Sequence, residues 1–370
     1  MICLQDYKNY RCLVFSIVAA FVTLQDVQAQ AETERIDELV RRWAPKIYLA
    51  PNEIFFPLSI EEFLEHVYPG DDYARPVTDD WSTENNHLPQ GKSSKSLFLH
   101  TRKDIETLRN QSSFLNGRDP SKHPVPLYVI VTNCDLSSRT FFGYSNDIST
   151  DTNITEPDLH FHVTYWLFYP YNEGKEVCYM GKIPAPIIFN TCFGRRKLYG
   201  DHVGDFEHLS LYFRGKPYPD EIFLSVHDSG VYYKYNPVKK KFKYKHQVTR
   251  KGIVQRPKFP PTVRTSRGHP ILFSAKGSHG LWSSPGDHYF VRVPRLTDQN
   301  GYGVVWKTWK YMKIFHLGFT QPPTWMKYQG RWGNPKSNCL LAKRLGICQL
   351  SDGPMGIIRD VQDFYCDKEK

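Results

Sequence analysis

The sequence predicts a mostly β protein: an antiparallel β-sandwich with short N-terminal helices and a disulfide-tied C-terminal segment. Three observations predict it. From Leu127 onward the apolar residues recur with a period of two. Tyr and Phe number 23 each in 370 residues, beside 24 Gly and 26 Pro, so strand formers alternate with turn formers. Six of the eight cysteines lie beyond residue 31, an even set suited to three disulfides. The apolar content of 40% is ample for a core and excludes disorder as the main state. A formal charge of +10 favours acidic partners in general, whether anionic lipid, acidic glycan or nucleic acid.

The first 31 residues read as an address. Met1–Cys12 is polar, with Lys8 and Arg11. Leu13–Leu24 is an apolar run of twelve, and Ala29-Gln30-Ala31 supplies small residues at a cleavage-site spacing. This is the pattern of a secretory signal peptide, too short for a spanning helix. It predicts a protein that is secreted or held in the lumen of the secretory pathway, vacuole or lysosome included. No later segment is long and apolar enough to cross a bilayer. Nucleic acid is not an expected partner of such a chain. Residues 32–370 are expected to form one domain: a helical and loop part over 32–126, the sandwich over 127–320 and a C-terminal wrap over 321–370.

The elements follow in order. Glu32–Trp43 carries Ile36, Leu39, Val40 and Trp43 at helical spacing, and Pro45 ends it. Ser59-Ile60-Glu61-Glu62 is a capping box for a second helix with Phe63, Leu64 and Val67 on its apolar face. Thr101 to Leu108 reads as a third, and Pro69–Lys95 as a loop. Strands are expected at Leu127–Cys134, Leu159–Tyr169, Phe206–Phe213, Ile222–His227, Val231–Tyr235, Ile271–Ala275, His288–Val293 and Val304–Trp309. Long loops are expected at Asp135–Pro157 and Arg250–Pro270. Cys134, Cys178, Cys192, Cys339, Cys348 and Cys366 allow about 15 pairings. The local pairs Cys178/Cys192 and Cys339/Cys348 are the first choices. No spacing suggests a structural zinc. Sequons at Asn110 and Asn153 are candidate glycan sites.

The stretch richest in chemistry is Tyr199-Gly200-Asp201-His202-Val203-Gly204-Asp205-Phe206-Glu207-His208. Along a strand, Asp205, Glu207, Leu209, Leu211 and Phe213 share one face. Two carboxylates at i and i+2 lie about 6–7 Å apart at their Cα atoms. Partly buried, they repel and need a cation, a proton or a basic partner. Arg195, Arg196 and Lys197 lie just upstream and would serve a salt-bridged, metal-free strand entry. His202 has the wrong parity for that face, but Gly200 and Gly204 permit a bulge that would swing it in. His202, Asp205 and Glu207 would then converge on one divalent cation. Carboxylate oxygens favour Ca²⁺ or Mg²⁺; the imidazole admits Zn²⁺ or Mn²⁺.

Other clusters are weaker. Strand alternation makes His160 and His162 exposed side chains. His227-Asp228 ends a strand, Ser278-His279 sits in a glycine-flanked turn, and Asp287-His288 follows. A Ser/His/Asp hydrolase assembled from these lacks a GxSxG elbow. Lys239, Lys240, Lys241, Lys243 and Lys245 form a basic hairpin that would present Lys241, Lys243 and Lys245 together, either to anionic groups or as a guarded sheet edge.

Several motifs resemble the vacuolar protein sorting-associated protein 62 family, a domain without an assigned activity. Ala44–Leu49 with Glu53 and Pro57-Leu58-Ser59 resembles its opening. Trp166–Asn172 looks like its strand ending in PYN, and Gly200–His208 like its signature, with Phe206 for the usual Trp. Ala275–Gly280, Arg331–Asn334 and Gly353–Gly356 resemble later motifs, in the family's order. More distantly, Gly200–His208 is similar to the heptapeptide of secreted necrosis- and ethylene-inducing cytolysins. Those are β-sandwich proteins that hold a divalent cation and bind sphingolipid sugars. That likeness implies cation ligation by His202, Asp205 and Glu207, with Gly204 where the motif has a second His.

The expected function is divalent-cation-dependent binding of membrane lipid headgroups or glycans. Tyr199, Asp201, His208, His227, Ser278 and His279 are candidate ligand contacts, and Tyr199, Tyr165 or Trp282 candidate stacking platforms. The expected partner is an anionic or glycosylated membrane surface or a free glycan. The alternatives are metal-assisted hydrolysis of a phosphoester or glycosidic bond and a purely structural extracellular module.

Overall fold

The computed structural model describes residues 29–77, 88–134, 159–180, 183–184, 191–250, 255–291, 296–339, 348–359 and 361–366. Most of the expected signal peptide, the Asp135–Pro157 loop and Asn153 lie outside them. Among the described residues, no helix is long and apolar enough to cross a membrane.

Twelve strands make one mixed sheet: β1 (Lys46–Tyr48), β2 (Leu127–Asn133), β3 (His160–Asn172), β4 (His202–Arg214), β5 (Glu221–Val226), β6 (Ser229–Asn236), β7 (Lys241–Thr249), β8 (Thr262–Ser266), β9 (His269–Ser274), β10 (Leu281–Trp282), β11 (Val305–Lys307) and β12 (Met312–His316). The spatial order is β11-β1-β9-β8-β7-β6-β5-β4-β3-β2-β12, with β10 on β9. Two pairings are parallel, β1 with β9 and β2 with β12. The mostly β class stands, but the expected sandwich of antiparallel sheets is here one curled sheet. Its end strands β11 and β12 are consecutive in the chain, separated by residues 308–311 alone. Five Cα steps reach at most about 18 Å, so the two edges must come round to one another. Thr308 holds that crossing point: fully buried, its hydroxyl donates to the Pro45 carbonyl at 2.6 Å.

The curl accounts for the core. One face of every long strand contributes to a single cluster, including Val129, Val163, Leu211, Leu224, Val231 and Leu272. A helix over residues 29–43, α1, fills it with Ile36, Val40 and Trp43. The Tyr165 hydroxyl donates to the Val40 carbonyl at 2.8 Å and ties helix to sheet. The outer face of β2–β4 is apolar too, with Tyr128, Trp166, Phe168 and Phe206. It is covered by α2 (Ile60–Leu64), α3 (Ile105–Asn110) and C-terminal residues such as Trp325 and Trp332. Ser59 caps α2 by accepting from the Glu62 amide at 3.1 Å, as the capping box requires.

Several expectations change. The Arg250–Pro270 loop contains β8, whose alternation is too short to stand out. The three-residue β1 was hidden by the Pro45 stop before it. His162 is buried rather than exposed, because the outer face of β3 is covered. Lys241, Lys243 and Lys245 do not share one face: the ladder slips between Tyr232 and Tyr233, so Tyr233 pairs with Tyr244 and Tyr232 with His246. Lys245 folds back onto Glu221 at 2.7 Å. The two local disulfides form as expected, and the third joins Cys134 to Cys366. Asn110 is exposed at the end of α3.

Candidate functional site

The site lies where β3 ends and β4 begins. Both strands break their in-and-out alternation here. On β3, Tyr169 faces the inner core but Tyr171 the outer one; on β4, Val203 and Phe206 both face outward. Gly204 makes this possible with φ +67°. A Cβ at that position would lie 1.9 Å from the Trp332 carbonyl oxygen. The register from Asn172↔His202 to Tyr169↔Asp205 stays in step, so the break is shared by both strands. His202 is thereby carried to the side of Asp205, with Nε2 4.0 Å from Oδ1.

Asp205 is buried. Its Oδ2 accepts from Asn172 Nδ2 at 3.0 Å and His279 Nδ1 at 2.9 Å. The Gly174 amide donates to Asn172 Oδ1 at 2.9 Å, which fixes the amide with its NH₂ toward Asp205. His279 is fully buried at φ +59°, its ring flat on Tyr169 at 3.7 Å and its Nε2 3.1 Å from the Phe55 carbonyl. Burial works to raise the Asp205 carboxyl, but the His279 hydrogen bond and the charges of His202 and His279 outweigh it and hold it below the usual range. Glu53, placed by its own loop, accepts from the amides of Ile54 and Phe55 and, across the site, from Gly277 at 2.9 Å.

Beside this pair lies a second aspartate, Asp298, on the ladder of Gly286–Val291 with Leu296–Asn300. It is fully buried. Oδ1 takes Ser278 Oγ and Lys175 Nζ, both at 2.8 Å. Oδ2 takes His227 Nε2 at 2.8 Å and Trp282 Nε1 at 2.9 Å. Burial opposes ionisation, yet His227 and Lys175 prevail and hold the carboxyl far below its ordinary value. Glu207 differs from both. It is buried, and no described group hydrogen-bonds or ion-pairs with it. Burial, then the charges of Asp205 and Asp298, push it well above the glutamate range, against the pull of Arg359. It is the proton-holding member of the three.

The structure thus brings together His202, Asp205, His227, Ser278 and His279. It leaves Glu207 outside a common ligand sphere with His202 and Asp205. Among the described residues, only Cys134, His162 and Cys366 place three such donor atoms within 4.8 Å of one another. Asp201 turns to the other face, where its Oδ2 accepts from Tyr171 at 2.8 Å and lies 3.8 Å from Arg109. His208 also faces outward, its Nε2 3.0 Å from Asp363. Tyr199 is half-buried at the end of a separate strand, Arg195–Tyr199. Tyr165 and Trp282 are fully buried and offer no stacking face. Ser278 donates to a carboxylate and, among the described residues, no imidazole hydrogen-bonds its oxygen, so these residues do not assemble a Ser/His/Asp triad. Asp298, Asn172 and Lys175 were missed as site residues. Asn172 ends the PYN strand, whereas Asp298 in a polar TDQN run carried no signal.

A curled β-sheet with a buried carboxylate–histidine cluster at one strand entry is the class defined here, and two yeast proteins are similar to this chain in sequence. The chain is 24% identical to TDA6 of Saccharomyces cerevisiae, which carries the name of a vacuolar protein sorting-associated protein, across 81% of this chain and 60% of the relative. It is 26% identical to vacuolar protein sorting-associated protein 62 of the same yeast, across 46% of this chain and 34% of that one. The chain therefore spans under two thirds of either relative. No family model matches it, and neither does any solved structure.

Proposed function

We propose that this protein serves a vacuolar-sorting-related role as a divalent-cation-dependent binder of an anionic headgroup or glycan, with the cation held by His202 and Asp205. One observation carries the reading. His202 Nδ1 lies 2.7 Å from the Gly204 carbonyl, which can only accept, so this nitrogen holds a proton and, in the neutral ring, Nε2 carries the lone pair. That lone pair faces Asp205 Oδ1 at 4.0 Å, the oxygen left open by Asn172 and His279. An imidazole fixed through its other nitrogen to a backbone carbonyl is the usual second-sphere arrangement of a metal ligand. The His202 side chain is 17% exposed, so a cation there would keep positions open for ligand oxygens. Carboxylate and hydroxyl oxygens favour Ca²⁺ or Mg²⁺, and the imidazole admits Mn²⁺ or Zn²⁺. Lys239, Lys240, Lys241 and Lys243, without ion pairs among the described residues, supply an attraction to anionic surfaces. Six paired cysteines suit an oxidising lumen.

The test is the metal content of the full chain, equilibrated with each cation and then desalted, beside His202→Gln. One ion per chain, lost in a His202→Gln protein of unchanged melting temperature, supports the reading. No retained ion, or one indifferent to His202→Gln, refutes it. Flotation with anionic or glycolipid vesicles, with and without chelator, then separates headgroup from glycan.

A further inference from the structure

The outer face of β2 and β3 carries a second cluster that takes no part in the His202–Asp205 site. Cys134 follows β2, Cys366 lies on the C-terminal segment 361–366, and the two are joined by a disulfide. The donor atoms of Cys134, Cys366 and His162 lie within 4.8 Å of one another. His162 is only 4% exposed, yet no described group hydrogen-bonds, ion-pairs or stacks with its ring.

We propose that Cys134, Cys366 and His162 form a two-thiolate, one-imidazole site for zinc or another thiophilic d¹⁰ cation once the disulfide is reduced. The reductant is a small-molecule thiol. Two of its thiols give two electrons and two protons, leave joined as their own disulfide, and free two protein thiols. The cation then displaces both thiol protons to solvent and takes two sulfurs and one ring nitrogen. S and N donors of this kind suit zinc, which leaves a fourth position open.

The geometry survives loss of the covalent bond, because the C-terminal segment has other anchors. Asp363 Oδ2 accepts from Ser210 Oγ at 2.6 Å and lies 3.0 Å from His208 Nε2. Tyr232 donates to the Asp363 carbonyl at 2.9 Å. Phe364 is buried, stacked on Tyr212 at 5.3 Å. These contacts keep Cys366 beside Cys134 in the reduced chain, so the donors are preorganised.

The experiment reduces the full chain, removes reductant anaerobically and follows alkylation of each cysteine by peptide mass spectrometry, with and without Zn²⁺. The expected result is severalfold slower alkylation at Cys134 and Cys366 in Zn²⁺ than at the reference cysteines Cys178, Cys192, Cys339 and Cys348. In His162→Phe, which keeps the ring volume but removes the donor, that protection should fall. Equal alkylation with and without Zn²⁺ in the parent chain overturns the proposal, whatever the fate of the variant. Full protection in a folded His162→Phe chain also overturns it.

Discussion

Asp298 and Asp205 sit in the same buried cluster and differ in one respect. Asp298 receives two donors on each oxygen and is closed on all sides. Asp205 is saturated on Oδ2 and faces His202 Nε2 across 4.0 Å on Oδ1. A closed carboxylate fixes the positions of Lys175, His227, Ser278 and Trp282, and can do little else. A carboxylate with one open oxygen near solvent is held still by its structural half and can bind with the other. The two aspartates divide support and recognition between them.

Substitutions can break this contrast. Asp298→Asn should have the largest effect. It leaves Lys175 and His227 without their counter-ion in a dry site, at a cost of about 3–5 kcal/mol. Urea unfolding would show it, and the cation retained at His202 should be unaffected in whatever fraction stays folded. Gly204→Ala comes next. Its Cβ would clash with the Trp332 carbonyl at a backbone angle that favours glycine, which predicts a loss of roughly 2–4 kcal/mol together with loss of cation binding.

The pH dependence of stability gives a smaller, signed effect. The Glu207 carboxyl is raised in the fold, so its contribution is fully present below the unfolded value near 4.5 and is lost as pH rises through the folded value. Glu207→Gln should therefore gain stability relative to the parent as pH rises toward neutral. Asp298 runs the other way: its contribution is present above the unfolded value near 3.8 and lost as pH falls toward the depressed folded value. Parallel urea titrations across pH would separate the two; identical slopes for parent and Glu207→Gln would refute the assignment of Glu207. His202→Gln should have the least effect on stability, within about 0.5–1 kcal/mol, while removing the retained cation.

Much of this was legible in the residues, and the limits were physical. The strands expected at Leu127–Cys134, Leu159–Tyr169 and Phe206–Phe213 form, because a long apolar alternation of period two suits a strand and no helix, but the second runs on to Asn172 and the third starts at His202. The break was legible without its position, since Gly200 and Gly204 both permit the bulge that reconciles the parity of His202 with that of Asp205. Ser278 and His279 stood out as a polar pair between glycines. Their destinations did not. His279 meets Asp205 across 74 positions and Ser278 meets Asp298 across 20, and nothing in local spacing encodes such contacts. The parallel pairings were hidden for the same reason. So was the burial of His162, because alternation says which residues share a face and not what covers it.

The meeting of β11 and β12 bears on how the chain reaches this shape. The strands that complete the two ends of the sheet lie late in the sequence, at 305–307 and 312–316, while their partners lie at 46–48 and 127–131. An unfinished chain would carry β1 and β2 with hydrogen-bonding groups turned to solvent, each a template for wrong pairing. Such long-range closure is slow, and its intermediates stick to one another. Cells making this protein should therefore shield it until residue 316 has emerged, and chains truncated just before Met312 should aggregate although the buried side chains of the inner core are all present.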